Sequence, residues 1–330
     1  MPEKTLLITR ADVESVFGMA DAVACVENAF RLYGEGKVQM PPKVYITFEK
    51  GDLRCMPVSM PTLKIAGVKN VTVHPGNRDL PTVMALISLA DPETGFPLAV
   101  MDGTYLTSLR TGAAGGVAAK HLARADSRVA GMVGTGRQAQ TQLEALLITR
   151  PGIQKVVAYD INSDSAKAFC EWCGERLKVE AAPASKVEEA VRAADVLVTT
   201  TPVRQPIVRD EWVRPGTHIN AIGADAPGKE ELDPAILKRA RVVVDNWEQA
   251  SHSGEINVAV SKGAFARKDV VADIGEVVTG KVKVRRSDAD VTVFDSTGLA
   301  VQDVACATEV LRRLTQDANR RNKLPAVQFF

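Results

Sequence analysis

The spacing of apolar positions changes character along this chain. Val23, Val26, Phe30 and Tyr33 recur at helical spacing, which predicts an amphipathic helix whose apolar stripe is core, with Gly34 as its C-cap. Short apolar runs at 43–48, 66–73, 83–90 and 96–101 predict strands, and Asp91-Pro92-Glu93-Thr94-Gly95 between the last two reads as a hairpin turn. Residues 1–115 are thus expected to form an α+β domain with an antiparallel or mixed sheet. A helix is expected over 108–123, although Thr111-Gly112-Ala113-Ala114-Gly115-Gly116 is almost all small. Each glycine there costs about 1 kcal/mol of helix stability relative to Ala, so close approach of another backbone or of a cofactor must compensate. This helix reads as the crossing point between domains.

From residue 128 the period alternates between strand and helix. Strands are expected at 128–133, 155–160, 178–182, 195–200, 218–223, 241–245 and 291–294, with helical segments between several of them. That pattern defines an α/β class, a Rossmann-type doubly wound parallel sheet over 116–300. A long helix at about 300–321 has apolar spacing suited to packing back, so 301–330 is assigned as a C-terminal helix returning to the first domain.

Composition changes this picture little. The 330 residues are 45% apolar and 25% charged, with formal net charge +1, ordinary for a globular protein with two cores. The charge balance and the lack of a Lys/Arg block argue against a nucleic-acid partner. Met1-Pro2-Glu3-Lys4 lacks a signal pattern and no apolar run reaches membrane-spanning length, so a cytoplasmic protein with no membrane partner is expected. Five cysteines form no recognisable framework; Cys170-Glu171-Trp172-Cys173 has no second ligand pair and falls in a helical pattern, which reads as structural thiols. His74, His121, His218 and His252 show no ligand spacing, and no metal is expected.

The sharpest local chemistry is in Val129-Ala130-Gly131-Met132-Val133-Gly134-Thr135-Gly136-Arg137-Gln138-Ala139. An apolar strand enters a G-x-G-x-x-A turn and a helix follows. Gly134 permits the tight turn, Gly136 lets a pyrophosphate approach the backbone, and Ala139 keeps helix and strand close. The helix N-terminus offers free N–H groups to the phosphates. The next strand ends in Asp160, 24 residues beyond Gly136, placed for an adenosine ribose. Ile161 and Asn162 follow it without a cation, which favours NAD over NADP. Other strand ends carry polar or small residues. Thr200 and Thr201 suit the adenosine side, Ile222 and Gly223 the nicotinamide, and Ser296 its ribose or amide.

Three cationic residues stand out in the first half. Lys69 lies mid-strand on the face of Val71 and Val73. A lysine on an apolar face is either paired or working, or else protects a sheet edge. Burial would lower its pKa and suit it to acid/base work. Arg54 sits among apolar residues and Arg110 at the start of the small-residue helix; either guanidinium suits a carboxylate, by bidentate geometry, or a surface ion pair.

Taken together, Met40-Pro41-Pro42-Lys43, Arg54-Cys55-Met56-Pro57, Gly67-Val68-Lys69, His74-Pro75-Gly76-Asn77, Ser108-Leu109-Arg110-Thr111-Gly112-Ala113, Gly134-Thr135-Gly136, Ile222-Gly223-Ala224-Asp225 and Asp295-Ser296-Thr297-Gly298 resemble the ornithine cyclodeaminase/μ-crystallin family over nearly the whole length. The resemblance implies a homodimer, a substrate and dimerisation domain, and a Rossmann domain binding NAD(P). Within the family it runs to the NAD-dependent alanine dehydrogenase branch. It implies substrate carboxylate binding by Lys43, Lys69 and Arg110, with Arg54 added, and acid/base roles for Lys69 and Asp225. It places Thr82, Arg110, Thr111, Arg137, Gln138, Ala224, Lys229 and Ser296 at the cofactor. Cyclodeaminases carry a Glu two residues before the Met-Pro, where it handles the distal amine of ornithine; Arg54 stands there instead. A guanidinium repels that ammonium, which favours oxidative deamination of L-alanine over cyclodeamination. Cyclic ketimine reduction and non-catalytic NAD(P) binding are the other readings.

Overall fold

In a computed structural model, which describes residues 4–329, the chain divides into two compact units. One holds the chain up to Arg110 and takes it up again from Leu299; the other is Thr111–Gly298. The first crossing falls inside a helix, a few residues ahead of the boundary expected at 115.

The first unit begins with β1 (Thr5–Ile8), α1 (Arg10–Glu14) and α2 (Met19–Gly34). Thr9 caps α1 by accepting from the Asp12 N–H, and the Asp12 carboxylate reaches back to the Thr9 N–H. The left-handed residue beyond α2 is Gly36, φ 71°, and not Gly34, which is the last helical residue. Strands β2 (Val44–Phe48), β3 (Gly51–Met60), β4 (Ile65–Val73), β5 (Val83–Ala90) and β6 (Pro97–Asp102) follow, then α3 (Thr104–Leu122). Gly95 (φ 74°) closes the expected hairpin with its N–H on Asp91 O.

The second unit contains β7 (Val129–Val133), α4 (Arg137–Thr149), β8 (Lys155–Tyr159), α5 (Ser163–Trp172), β9 (Glu180–Pro183), α6 (Val187–Ala193), β10 (Val196–Thr199), β11 (His218–Ala221), α7 (Pro234–Arg239), β12 (Arg241–Val244), α8 (Trp247–Ser253), α9 (Asn257–Ser261), β13 (Val270–Asp273), α10 (Ile274–Val278) and β14 (Thr292–Asp295). Its sheet runs β13-β12-β14-β11-β10-β7-β8-β9, and every pairing is parallel. The strand order reverses between β7 and β10, the place where open parallel sheets bind ligands. Strand β9 starts later than expected because Lys178 takes a left-handed turn, φ 57°.

The small-residue part of α3 has a packing reason within this unit. A Cβ on Gly112 would run into the Thr141 backbone, one on Gly115 into the Gln142 amide, and one on Gly116 into Ala145. All three are on α4. Gln142 Nε2 also donates to Thr111 O at 2.8 Å. Close approach of a helix backbone thus offsets the low helix propensity.

The chain returns to the first unit with α11 (Ala300–Gln316), α12 (Ala318–Arg321) and β15 (Ala326–Val327). The expected single helix is broken at Asp317, whose carboxylate caps α12. Helix α11 packs on α2 and on β3, β4 and β5. It covers the sheet face carrying Met56, Met60, Ile87, Leu89 and Met101, all buried. The sheet order is β15-β1-β6-β5-β4-β3-β2; β1 and β6 are parallel and the β2 to β6 pairs antiparallel. On the opposite face Val44, Ile46, Phe48 and Leu86 are exposed.

Candidate active site

In the second unit, β7 delivers the chain to Gly134, whose φ of 89° is the left-handed turn that glycine suits. Gly136 caps α4, and the space where its side chain would stand is open. Asp160 follows β8. Its Oδ2 accepts from Thr135 N and Oγ1, both at 2.9 Å, and its Oδ1 from Asn162 N at 2.9 Å. The carboxylate is therefore held against the glycine turn. Ile161 is 94% exposed, and Asn162 caps α5. Arg137 lies exposed on the first turn of α4, 3.4 Å from Gln140 Oε1. Gln138 contributes its backbone carbonyl to the Thr141 hydroxyl.

A residue not foreseen organises the next strand ends. Glu231, fully buried, accepts from Thr201 N and Oγ1 (2.6 Å each) on Oε1, and from Thr199 Oγ1 (2.6 Å) and Gly223 N (2.9 Å) on Oε2. One carboxylate thus joins the ends of β10 and β11. Glu255 Oε1 in turn accepts the N–H groups of Glu231 and Leu232. Burial raises the pKa of both acids, and the neighbouring Glu231 pushes Glu255 up further. Buried Asp245 holds the Thr297 and Gly298 N–H groups at 2.6 and 2.7 Å, while Ser296 N bonds Ala221 O. Thr200 Oγ1 donates to Gly134 O at 3.2 Å, and Ile222 and Ala224 are buried beside them. Asp225, expected as an acid/base, is paired with Lys229 at 2.6 Å.

The first unit builds a second cluster. Lys69 on β4 and Arg110 on α3 converge on one oxygen, Asp303 Oδ1 of α11, at 2.7 and 2.9 Å. Lys69 and Asp303 are fully buried and Arg110 is nearly so. Strand β4 lies between β3 and β5, so Lys69 is no edge-protecting lysine. Burial, with Arg110 beside it, lowers its pKa to about 7, against the pull of Asp303; Lys43 also presses it down. Arg110 reaches Gln302 Oε1 at 3.4 Å. Asp303 Oδ2 and Gln302 Nε2 are buried without a partner. Unfilled groups of this kind cost about 1–3 kcal/mol each unless something completes them.

Arg54 is buried, and its guanidinium lies two-pronged on Asp52, at 2.8 and 3.0 Å, beside the Tyr45 ring, in an ion pair within one strand. Thr82 is exposed ahead of β5, and its carbonyl accepts from His74 N. Among the described residues no helix is long and apolar enough to span a membrane, and no group of His, Cys, Asp and Glu could hold a metal ion. Burial pushes Cys170 up to about 11 and Cys173 up to about 12, which disfavours the thiolate at both.

A parallel sheet with a strand-order reversal, a glycine turn opening a helix and an acid after the neighbouring strand define a dinucleotide-binding, Rossmann-type protein. The profile of the ornithine cyclodeaminase/mu-crystallin family matches residues 3–318. The chain belongs to that family. It is 57% identical over 330 residues to an alanine dehydrogenase of Archaeoglobus fulgidus, covering 99% of each chain. Among solved structures it is similar to an archaeal alanine dehydrogenase dimer with bound NAD, at TM-score 0.95 and 56% identity, covering 99% of this chain and 100% of that one. It is also similar to Thermococcus litoralis Δ1-pyrroline-2-carboxylate reductase in complex with NADH and L-proline, at TM-score 0.93 and 36% identity, covering 98% and 100%.

Proposed function

We propose that this chain is an NAD-dependent L-alanine dehydrogenase, converting L-alanine, water and NAD+ reversibly to pyruvate, ammonium, NADH and a proton. The observation that carries the reading is the 57% identity to an alanine dehydrogenase across 99% of both chains. The residues at these strand ends fit the cofactor. The open space at Gly136 admits a pyrophosphate to the start of α4, where Arg137 and Gln138 stand, and Asp160 is already oriented for ribose hydroxyls. Thr200, Thr201, Ile222, Gly223, Ala224 and Ser296 line the strand ends beyond it, with Lys229, Thr82, Arg110 and Thr111 as further contacts. When bound, NAD+ accepts the hydride from Cα of the substrate.

The unit built from both ends of the chain handles substrate, and Thr111–Gly298 binds the cofactor. Arg110, Lys69 and Lys43 hold the carboxylate, and Arg54 joins them if it exchanges Asp52 for substrate. Lys69 takes the proton that frees the amine lone pair, which an ordinary lysine near pH 7 could not do. Asp225 shares the proton transfers as water adds to the iminium carbon and ammonia leaves. The unfilled Asp303 Oδ2 and Gln302 Nε2 suit a zwitterionic ligand, which brings both a donor and an acceptor. A homodimer, the assembly of the archaeal relative, would have the exposed Val44, Ile46, Phe48 and Leu86 as a face to cover. The reading includes a cytoplasmic location, where five free thiols are at home.

Cyclic ketimine reduction is the second reading, favoured by the reductase relative bound to NADH and L-proline. Purified protein should be offered NAD+ with alanine, ornithine and proline, and NADH with pyruvate plus ammonium or with pyrroline-2-carboxylate. Fastest turnover with alanine and pyruvate supports the proposal. Turnover confined to pyrroline-2-carboxylate and proline would replace it.

A further inference from the structure

We propose that Asp303 is the positioning residue of the candidate acid/base, holding Lys69 and Arg110 on one carboxylate oxygen and governing the proton that Lys69 exchanges with substrate. The inference rests on the alanine dehydrogenase reading for its kinetic arm and on geometry alone for its other arm. Three elements bring these groups together: Lys69 from β4, Arg110 from α3 and Asp303 from α11. The charged groups bearing on Lys69 are Arg110, Lys43 and Asp303. The first two oppose its protonation and Asp303 favours it. All three members of the cluster are nearly or fully inaccessible, so water screens these interactions little. Asp303 Oδ2 is buried without a partner, which leaves one carboxylate oxygen of the cluster open to a further donor.

Asp303→Asn keeps the shape and removes the counter-charge. Two cations are then left facing each other without it, so Lys69 gives up its proton at lower pH. The acid limb of kcat for alanine oxidation should move down by about one pH unit or more. A stabilising role alone would lower the unfolding midpoint and leave that limb in place. The second arm needs no substrate. The 13Cε signal of Lys69, assigned by its loss in Lys69→Arg, is titrated by NMR in wild type and Asp303→Asn. Its midpoint should fall in the variant. A folded Asp303→Asn with an unmoved midpoint overturns the proposal. Absence of alanine turnover in the wild type would sink the functional reading and leave the NMR arm to decide this one. Should Asp303→Asn not fold, Asp303→Glu replaces it: a midpoint near the wild-type value with kcat down about tenfold or more supports positioning, and an unchanged kcat refutes it.

Discussion

Replacing Lys69 by Met removes the charge and nearly preserves the volume of a fully buried lysine. The folded-state pKa of Lys69, about 7, lies below the 10.5 of an unburied lysine. Between those values the unfolded chain binds the proton and the folded chain does not, so raising the pH through this window favours folding. Below pH 7 the buried ammonium carries its full penalty, about 5 kcal/mol relative to the neutral amine; the penalty fades as pH climbs towards 10.5. Wild type should therefore gain about 2 kcal/mol on Lys69→Met between about pH 7 and 9. Urea denaturation of both proteins at one concentration, at both pH values, measures that gap. In the same variant alanine oxidation should fall by about 10²–10⁴-fold, the usual loss for an acid/base group, with NADH binding intact. A stability gap that does not change with pH, or turnover within about threefold of wild type, would refute the assignment of Lys69 as a neutral buried base.

The cofactor reading makes NAD the preferred substrate over NADP in kcat/KM, and Asp160→Ser with Ile161→Arg should move the preference towards NADP; equal use by wild type would end that argument. Arg54→Ala should lower kcat/KM for alanine by roughly 30- to 1000-fold if the guanidinium binds the carboxylate. If Arg54 serves only Asp52, kcat/KM should hold while the unfolding midpoint drops. Wild type should form no proline from ornithine, which product analysis would test. Gly112→Ala forces a methyl onto the Thr141 backbone and should destabilise by about 1–3 kcal/mol; an unchanged denaturation midpoint would contradict the close helix contact.

The residues legible in the sequence are those whose chemistry is local. Gly134, Gly136 and Asp160 announce themselves because a phosphate turn and its acid sit on consecutive strands. Lys69 was visible as a charge on an apolar face of a strand. Strand β3, by contrast, was hidden by Pro57. That proline pairs with Val68 beyond the end of β2, which spans only Gly51–Cys55 of its neighbour, so its missing N–H is not needed on that side. Asp303 was missed because its partner Lys69 is 234 residues away. Its one local signal was an acid in the small and apolar run Val301-Gln302-Asp303-Val304-Ala305. Glu231 gave no signal, since its four donors lie on two other stretches of chain, at 199–201 and at 223. Asp52, two residues from Arg54, was readable as a same-face partner on a strand once β3 was known.

The division of the chain sets an order of events during synthesis. The Thr111–Gly298 unit is contiguous, so all its strands are made before α11 is. The other unit cannot close until α11 arrives to cover β3, β4 and β5. Until then Lys69 has no Asp303 and its sheet face is bare. The amino-terminal third of the nascent protein therefore waits, with apolar surface open, for α11, and exposed surface of that kind is what chaperones shelter.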